Sequence, residues 1–153
     1  MSLDSVRAFM AANAPEIEVL VTEASTATVP EAAAAHGVEP GQIAKTLSLW
    51  LKDEAVLLVL AGDARIDNRK YKDRFETKAK MLSADEVLAQ TSHPVGGVCP
   101  FGLPGDLRIF ADQSLRRYEM IIPAAGAPNA SLKITPDQMA ALVGAEWVDV
   151  AQE

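Results

Sequence analysis

The chain has a single cysteine, Cys99, so no internal disulfide can form, and that economy suits a reducing compartment. Only two histidines accompany it, His36 and His93, and no Cys/His spacing suggests a zinc site. Long apolar runs are missing too. Ala55 to Ala61 and the alanine-rich stretch from Ala32 are far too short to span a bilayer. The N-terminal Met1-Ser2-Leu3-Asp4-Ser5-Val6-Arg7 lacks the basic start and apolar centre of a secretory signal, so an untargeted cytoplasmic protein is expected. Neither a P-loop nor a GxGxxG pattern occurs, which removes two familiar phosphate cradles. Repeats, low-complexity linkers and breaks in composition are absent as well.

What is present suffices for one core. A chain of 153 residues, 49% hydrophobic and 23% charged, is about one domain, expected over residues 1–153. Val6, Phe9 and Met10 fall at helical spacing, predicting a helix over 3–13 that ends before Pro15. Thr28-Val29-Pro30-Glu31 and Ser83 with Glu86 predict capping boxes, Asp67 a further helix start, Gly37 and Gly144 helix ends. Strands are predicted at 17–21, 43–51, 56–60, 107–111, 119–122, 131–134 and 147–150, and a last helix opens at Thr135. Hairpins outnumber strict βαβ units in this order. The fold class is α/β (α+β), a single domain on a mixed, mostly antiparallel sheet flanked by helices.

Charge is uneven. The net charge of −7 ordinarily argues against a nucleic-acid partner. Between Arg65 and Lys80, however, lie Arg65, Arg69, Lys70, Lys72, Arg74, Lys78 and Lys80, opposed only by Asp67, Asp73 and Glu76. That segment is +4 and the remainder −11. It is either a solvated helix face or a local site for a polyanion.

Three constellations carry possible chemistry. In the strand Ile43-Ala44-Lys45-Thr46-Leu47-Ser48-Leu49-Trp50-Leu51, period two places Lys45 in a row with Ile43, Leu47, Leu49 and Leu51. An ammonium on an apolar face must snorkel, pair with a carboxylate or face a cavity that receives an anion. The mid-run position weakens the first of these. The second constellation is His93-Pro94-Val95-Gly96-Gly97-Val98-Cys99-Pro100-Phe101-Gly102-Leu103-Pro104-Gly105, long for a structureless connection. Its glycines let backbone amides approach a ligand and its prolines stiffen them, as phosphate cradling or carbonyl polarisation requires; a plain turn is the alternative. Cys99 and His93 within it are either a nucleophile and base lacking an assignable third group, or a small buried cysteine and its neighbour. The third is Gly126-Ala127-Pro128-Asn129-Ala130-Ser131, where Asn129 and Ser131 either read a polar group or only shape the turn.

Taken together, Thr26-Ala27-Thr28, Ile43-Ala44-Lys45-Thr46-Leu47, Gly62-Asp63-Ala64-Arg65-Ile66-Asp67, the His93–Gly102 loop and Ala125-Gly126-Ala127-Pro128-Asn129 recur in a known order. The chain resembles the YbaK/EbsC family, freestanding relatives of the editing domain inserted in bacterial prolyl-tRNA synthetases, from about Glu16 to Val143. The resemblance implies a barrel-like sheet and a hydrolase that removes the amino acid from mischarged aminoacyl-tRNA in trans, without metal or cofactor. It implies catalytic roles for Lys45 and for Gly96, Gly97 and Pro100 of the GxxxP loop. It implies substrate binding by Thr26, Thr46, Val98, Asn129 and Ser131, and tRNA contacts by Arg65, Arg69, Lys70, Lys72 and Arg74. The expected partners are a mischarged tRNA, such as tRNA-Pro with a small non-cognate residue, and a synthetase or elongation factor in a transient complex, with no membrane and no DNA. The late turn lacks the histidine of some alanine-specific relatives, leaving alanine, cysteine, 2-aminobutyrate, serine and threonine open. A non-catalytic tRNA-binding or protein-interaction module on the same fold is the rival expectation.

Overall fold

The computed structural model describes residues 2–152. Helix α1 (Ser2–Asn13) buries Val6 and Met10, and Phe9 packs its ring 6.2 Å from Phe101. Strand β1 (Leu20–Val21) is shorter than the predicted 17–21, because Ile17 and Val19 pack their side chains on the core without a ladder partner. Helix α2 (Val29–His36) starts where Thr28 accepts the Glu31 amide at 3.3 Å and stops at Gly37, which is left-handed (φ 65°). Its capping box is half made: the Glu31 carboxylate takes the Thr28 hydroxyl at 3.0 Å. After a 3-10 turn (Pro40–Gln42), which the sequence reading did not anticipate, come β2 (Ile43–Leu51) and β3 (Glu54–Ala61), joined by a tight turn with Lys52 at φ 58°.

The helices α3 (Asn68–Phe75) and α4 (Ala84–Thr91) begin at their predicted caps, Asp67 and Ser83, and the Ser83–Glu86 capping box is complete. Then follow β4 (Arg108–Asp112), an unpredicted 3-10 turn (Gln113–Arg117), β5 (Ile122–Pro123), β6 (Ala130–Ser131), α5 (Pro136–Val143) and β7 (Glu146–Val148). The expected strands at 119–122 and 131–134 are reduced to two residues each, extended by an isolated Ile121–Ile134 bridge.

The fold is a single α+β domain whose mixed sheet curls into a half-barrel. Strand order is β5-β2-β3-β4-β7, with β1 and β6 forming a separate pair. The antiparallel character is concentrated in the eight-pair β2–β3 ladder and the β1–β6 pair. The other three junctions of the main sheet are parallel, because helices and loops carry the chain back over the sheet between them. Central β3 is therefore covered on both faces, and Val56 to Ala61 are at most 2% exposed. Leu57 and Val59 join α1, Phe101 and Ile109 on one side; Val56, Leu58 and Leu60 join Tyr71, Phe75 and Phe110 on the other. Truncating any of these leucines to alanine is expected to cost about 2–5 kcal/mol.

Candidate functional site

Strand β2 is the foundation of the site. Its inner edge runs along β3, but its outer edge is covered only at the ends. Strand β5 pairs with Ile43 and Ala44, and the segment after α3 reaches back to bridge Leu49 through Met81. Ser48 O accepts from the Leu82 amide (3.0 Å) and the Trp50 amide donates to Lys80 O (2.8 Å). By period two, Thr46 turns its own main-chain N–H and C=O to the same edge, where no strand pairs with it among the described residues. A cavity of about 260 Å³ opens there.

Its polar and loop walls come from four parts of the chain, and Met81, Leu82, Ala84, Val87, Ile122 and Ala124 add apolar lining. Lys45, Thr46 and Ser48 belong to β2, Thr26 and Thr28 to the approach to α2, Gly96 and Val98 to the glycine-proline loop, and Ser131 to β6. Among the described residues no aspartate or glutamate lines it, and Lys45 is the one charged wall residue. The Thr46 hydroxyl is buried with no hydrogen-bond partner. Ser131 Oγ donates to Thr26 Oγ1 at 3.5 Å, while the Thr26 hydroxyl and amide both donate to Pro128 O, at 3.2 and 2.6 Å.

Lys45 lines the cavity and also makes hydrogen bonds that the sequence reading did not name. Its Nζ donates to two main-chain carbonyls, Gly62 O at 3.3 Å and Ala64 O at short distance. Among the described residues it forms no ion pair, because the nearby Asp63 carboxylate is engaged by Arg117 at 2.6 Å. Carbonyls supply dipoles and leave the net charge in place. Burial lowers the Lys45 pKa; Asp63 opposes this and Arg65 adds to it. The result is a half-buried cation without a direct ion pair among the described residues, at the wall of a cavity.

The glycine loop is built by close approach. Gly96 has φ 94°, and a Cβ there would lie 2.9 Å from the Ala27 methyl. At Gly97 a Cβ would lie 2.6 Å from Ala127 N, so only glycine lets the loop seat on the 126–127 turn. The Gly97 amide donates to Pro94 O and its carbonyl accepts from the Gly126 amide, both at 2.9 Å. Gly97 and Pro100 thus shape the loop from behind, while Gly96 and Val98 face the cavity. Asn129 is also behind the wall: its Nδ2 donates to Thr22 O (3.0 Å) and its carbonyl accepts the Thr22 amide (2.9 Å), locking the turn.

Cys99 and His93 do meet, with Sγ 3.6 Å from Nε2, but both are fully buried in the core. Burial pushes the thiol up to about 12 and holds the imidazole below its ordinary value, and His93 Nε2 also lies 2.8 Å from Phe101 O. A nucleophile needs thiolate and access, so this pair is packing.

The basic residues do not form one patch. Arg74 pairs with Glu146 and stacks over Phe75 (4.9 Å), and Lys70 pairs with Asp149 at 3.2 Å. Arg65 lies with Lys70 and Arg117 around a second cavity that Asp63, Asp112 and Asp149 also line. Arg69 and Lys72 lie exposed on α3. Sequence reasoning missed Ser48, which follows Thr46 by period two and was findable, and Met81 and Val95, which only long-range pairing brings to the cavity.

Comparison with known proteins follows the same lines. The family model for the aminoacyl-tRNA editing domain matches residues 23–142. The chain is 43% identical, over its whole length and 99% of the relative's, to the uncharacterized protein YwhH of Bacillus subtilis (strain 168). It is 29% identical over 107 residues to the proline–tRNA ligase of Geobacter sp. (strain M21), covering 69% of this chain but 19% of the ligase. A crystal structure described as a candidate trans-editing enzyme for prolyl tRNA synthetase superposes with a TM-score of 0.90 at 31% identity, covering 99% of this chain and 98% of that one.

Proposed function

The chain belongs to the aminoacyl-tRNA editing domain family, and from that premise we propose that it is a freestanding deacylase that hydrolyses the ester of mischarged tRNA. One observation carries the reading. Among the described residues, a small cavity holds a single cation, Lys45, and no carboxylate, between a strand edge with open main-chain groups and a rigid glycine loop. Such a site suits an activated ester attached to a phosphate chain, and it needs no protein nucleophile.

In the proposed reaction water attacks the ester carbonyl carbon, the acyl C–O bond breaks, and the departing ribose oxygen takes up a proton. The products are a free amino acid and uncharged tRNA. The adjacent ribose hydroxyl of the substrate orients the water, so no metal or cofactor is called for. With the Gly97 amide engaged by Pro94 O, the amides of Gly96 and Val98 are the loop donors for the developing oxyanion. Lys45 holds the terminal phosphate. Thr46 and Ser48 on β2, with Thr26 and Ser131, place the aminoacyl group, whose side chain must be small to share about 260 Å³. Asn129, Gly97 and Pro100 act by holding the turn and loop in register. Acting in trans, the protein meets its substrate after release from a synthetase or in a transient complex with a synthetase or elongation factor in the cytoplasm. Such a step is needed because a synthetase pocket rejects small or isosteric side chains only weakly.

The decisive experiment is a panel of tRNAs charged with alanine, cysteine, 2-aminobutyrate, serine or threonine, incubated with wild type and Lys45→Ala. Ester loss with wild type, abolished in a folded Lys45→Ala, is the expected outcome. Binding of charged tRNA with no turnover of any member would replace the enzyme by a binding module.

A further inference from the structure

The cations of residues 65–80 separate into two groups that differ in their counter-charges. Around the cavity of Arg65, Lys70 and Arg117, three aspartates share the lining, and two of the cations are paired. On the other side of α3, Asn68, Arg69, Lys72, Lys78 and Ala79 line a cleft of about 520 Å³ with no acidic residue in its wall among the described residues. Arg69 and Lys72 stand one helical turn apart, and Lys78 faces them from the segment that follows α3. Arg69, Lys72, Lys78 and Lys80 are all exposed, and none makes an ion pair among the described residues. Asp73 and Glu76 belong to the same stretch but do not line the cleft. In a protein of net charge −7, three clustered cations without a carboxylate are an electrostatic exception.

The same segment leads into the β2 cavity. Lys78 and Ala79 line the cleft, Lys80 bonds Trp50 through its carbonyl, and Met81 and Leu82 line the cavity. From Ala79 to Met81 is two residues, about 7 Å of extended chain. A helical nucleic-acid strand carries about one phosphate per 3.4 Å of rise, so this distance spans about two phosphate intervals. At the mouth, Met81 is 54% and Val95 64% exposed, giving an apolar rim that a base can cover.

We propose that Arg69, Lys72 and Lys78, continued by Lys80, form a track for the phosphodiester backbone of an RNA strand whose 3′ end enters the β2 cavity past Met81 and Val95. The proposal rests on the editing reading for the cavity itself, and it assigns the strand to one side of α3. Lys70, paired with Asp149, Arg74, paired with Glu146 and stacked on Phe75, and Arg65, which lines the aspartate-bearing second cavity, do not belong to the track.

The test compares Arg69→Glu/Lys72→Glu/Lys78→Glu with a control of equal charge change, Arg7→Glu/Arg108→Glu/Lys133→Glu, both checked for folding by circular dichroism and thermal melting. Two substrates are used: full-length mischarged tRNA and the aminoacyl ester of adenosine 5′-monophosphate, which has no phosphodiester. The track variant is expected to lose at least about tenfold more kcat/KM on tRNA than the control, and about tenfold more on tRNA than on the small ester. Its log(kcat/KM) against log[salt] should flatten by about two units for three lost phosphate contacts. Equal kcat/KM for track and control variants on tRNA overturns the proposal, and so does an equal loss on both substrates. If wild type hydrolyses neither ester, the editing reading fails by itself. Binding of uncharged tRNA then decides the track: weaker binding by the track variant than by the control supports it, and equal binding overturns it.

Discussion

Lys45 and Cys99 were both candidates for chemistry, and their surroundings separate them. Lys45 is half-buried in β2, held by two carbonyls beside a cavity and without a direct ion pair among the described residues. Cys99 is completely buried beneath the glycine loop, with its thiol pushed up to about 12 and His93 against it. Reactive groups are marked by partial access and unspent charge. The cysteine has the reactive element and neither of those conditions, whereas the lysine has both.

The sharpest way to break this contrast is to exchange the two outcomes. Lys45→Ala is expected to lower kcat/KM on mischarged tRNA by about a hundredfold or more, in the range of a lost preorganised electrostatic group. Its thermal melting should change little, because a lysine held by carbonyls beside a cavity contributes little net packing. A smaller effect is expected from Gly97→Ala, which forces a methyl to within 2.6 Å of Ala127 N. Displacing the loop should reduce activity about tenfold and destabilise by about 1–3 kcal/mol, the usual cost of overpacking, measurable by urea denaturation.

Acidity offers a gentler probe. The charged form of Lys45 binds phosphate, and burial lowers its pKa below the ordinary 10.5. Activity attributable to the lysine is therefore present at low pH and lost as pH rises through that lowered value. Lys45→Arg, which stays protonated, should remove this alkaline decline in a kcat/KM profile even where its absolute activity is reduced. The smallest effect belongs to Cys99→Ala: hydrolysis within about twofold of wild type, with a stability loss of about 1 kcal/mol typical of a small core truncation. In the native protein the thiol should resist iodoacetamide until denaturant is added. Native-state labelling accompanied by loss of activity would restore the cysteine as a nucleophile.

Local features of the fold were legible because their causes are local. Thr28, Asp67, Ser83 and Thr135 accept amides two or three residues ahead, and Gly37 and Gly144 adopt the left-handed conformation that ends a helix. The alternation of β2 and the unbroken apolar run of β3 likewise report a sheet covered on one or both faces. The parallel junctions were not legible, since they depend on how helices and loops return across the sheet between distant segments. The site divided in the same way. Lys45 and Gly96 stood out by residue type, Thr46 and Val98 only through the family resemblance, and the cavity includes all four. For Asn129 the sequence left two readings open, a reader of a polar group or a shaper of the turn, because an amide side chain looks the same in either role until its partner is known. Its Nδ2 is bonded to Thr22 O.

By itself, then, the sequence determined the helix limits, the β2–β3 hairpin, the position of a lone lysine on an apolar face and the stretch richest in positive charge. Each of these follows from side-chain periodicity, backbone freedom or composition over a few residues. Only the tertiary structure decided which cations keep their charge unspent and where the edge of β2 is left open. Both depend on partners far along the chain: Asp149 for Lys70, Glu146 for Arg74, Gly62 and Ala64 for Lys45, and Met81 and Ile122 at the two ends of the gap. Coulomb and hydrogen-bond energies act through space over a few ångströms, and folding alone sets which residues come that close.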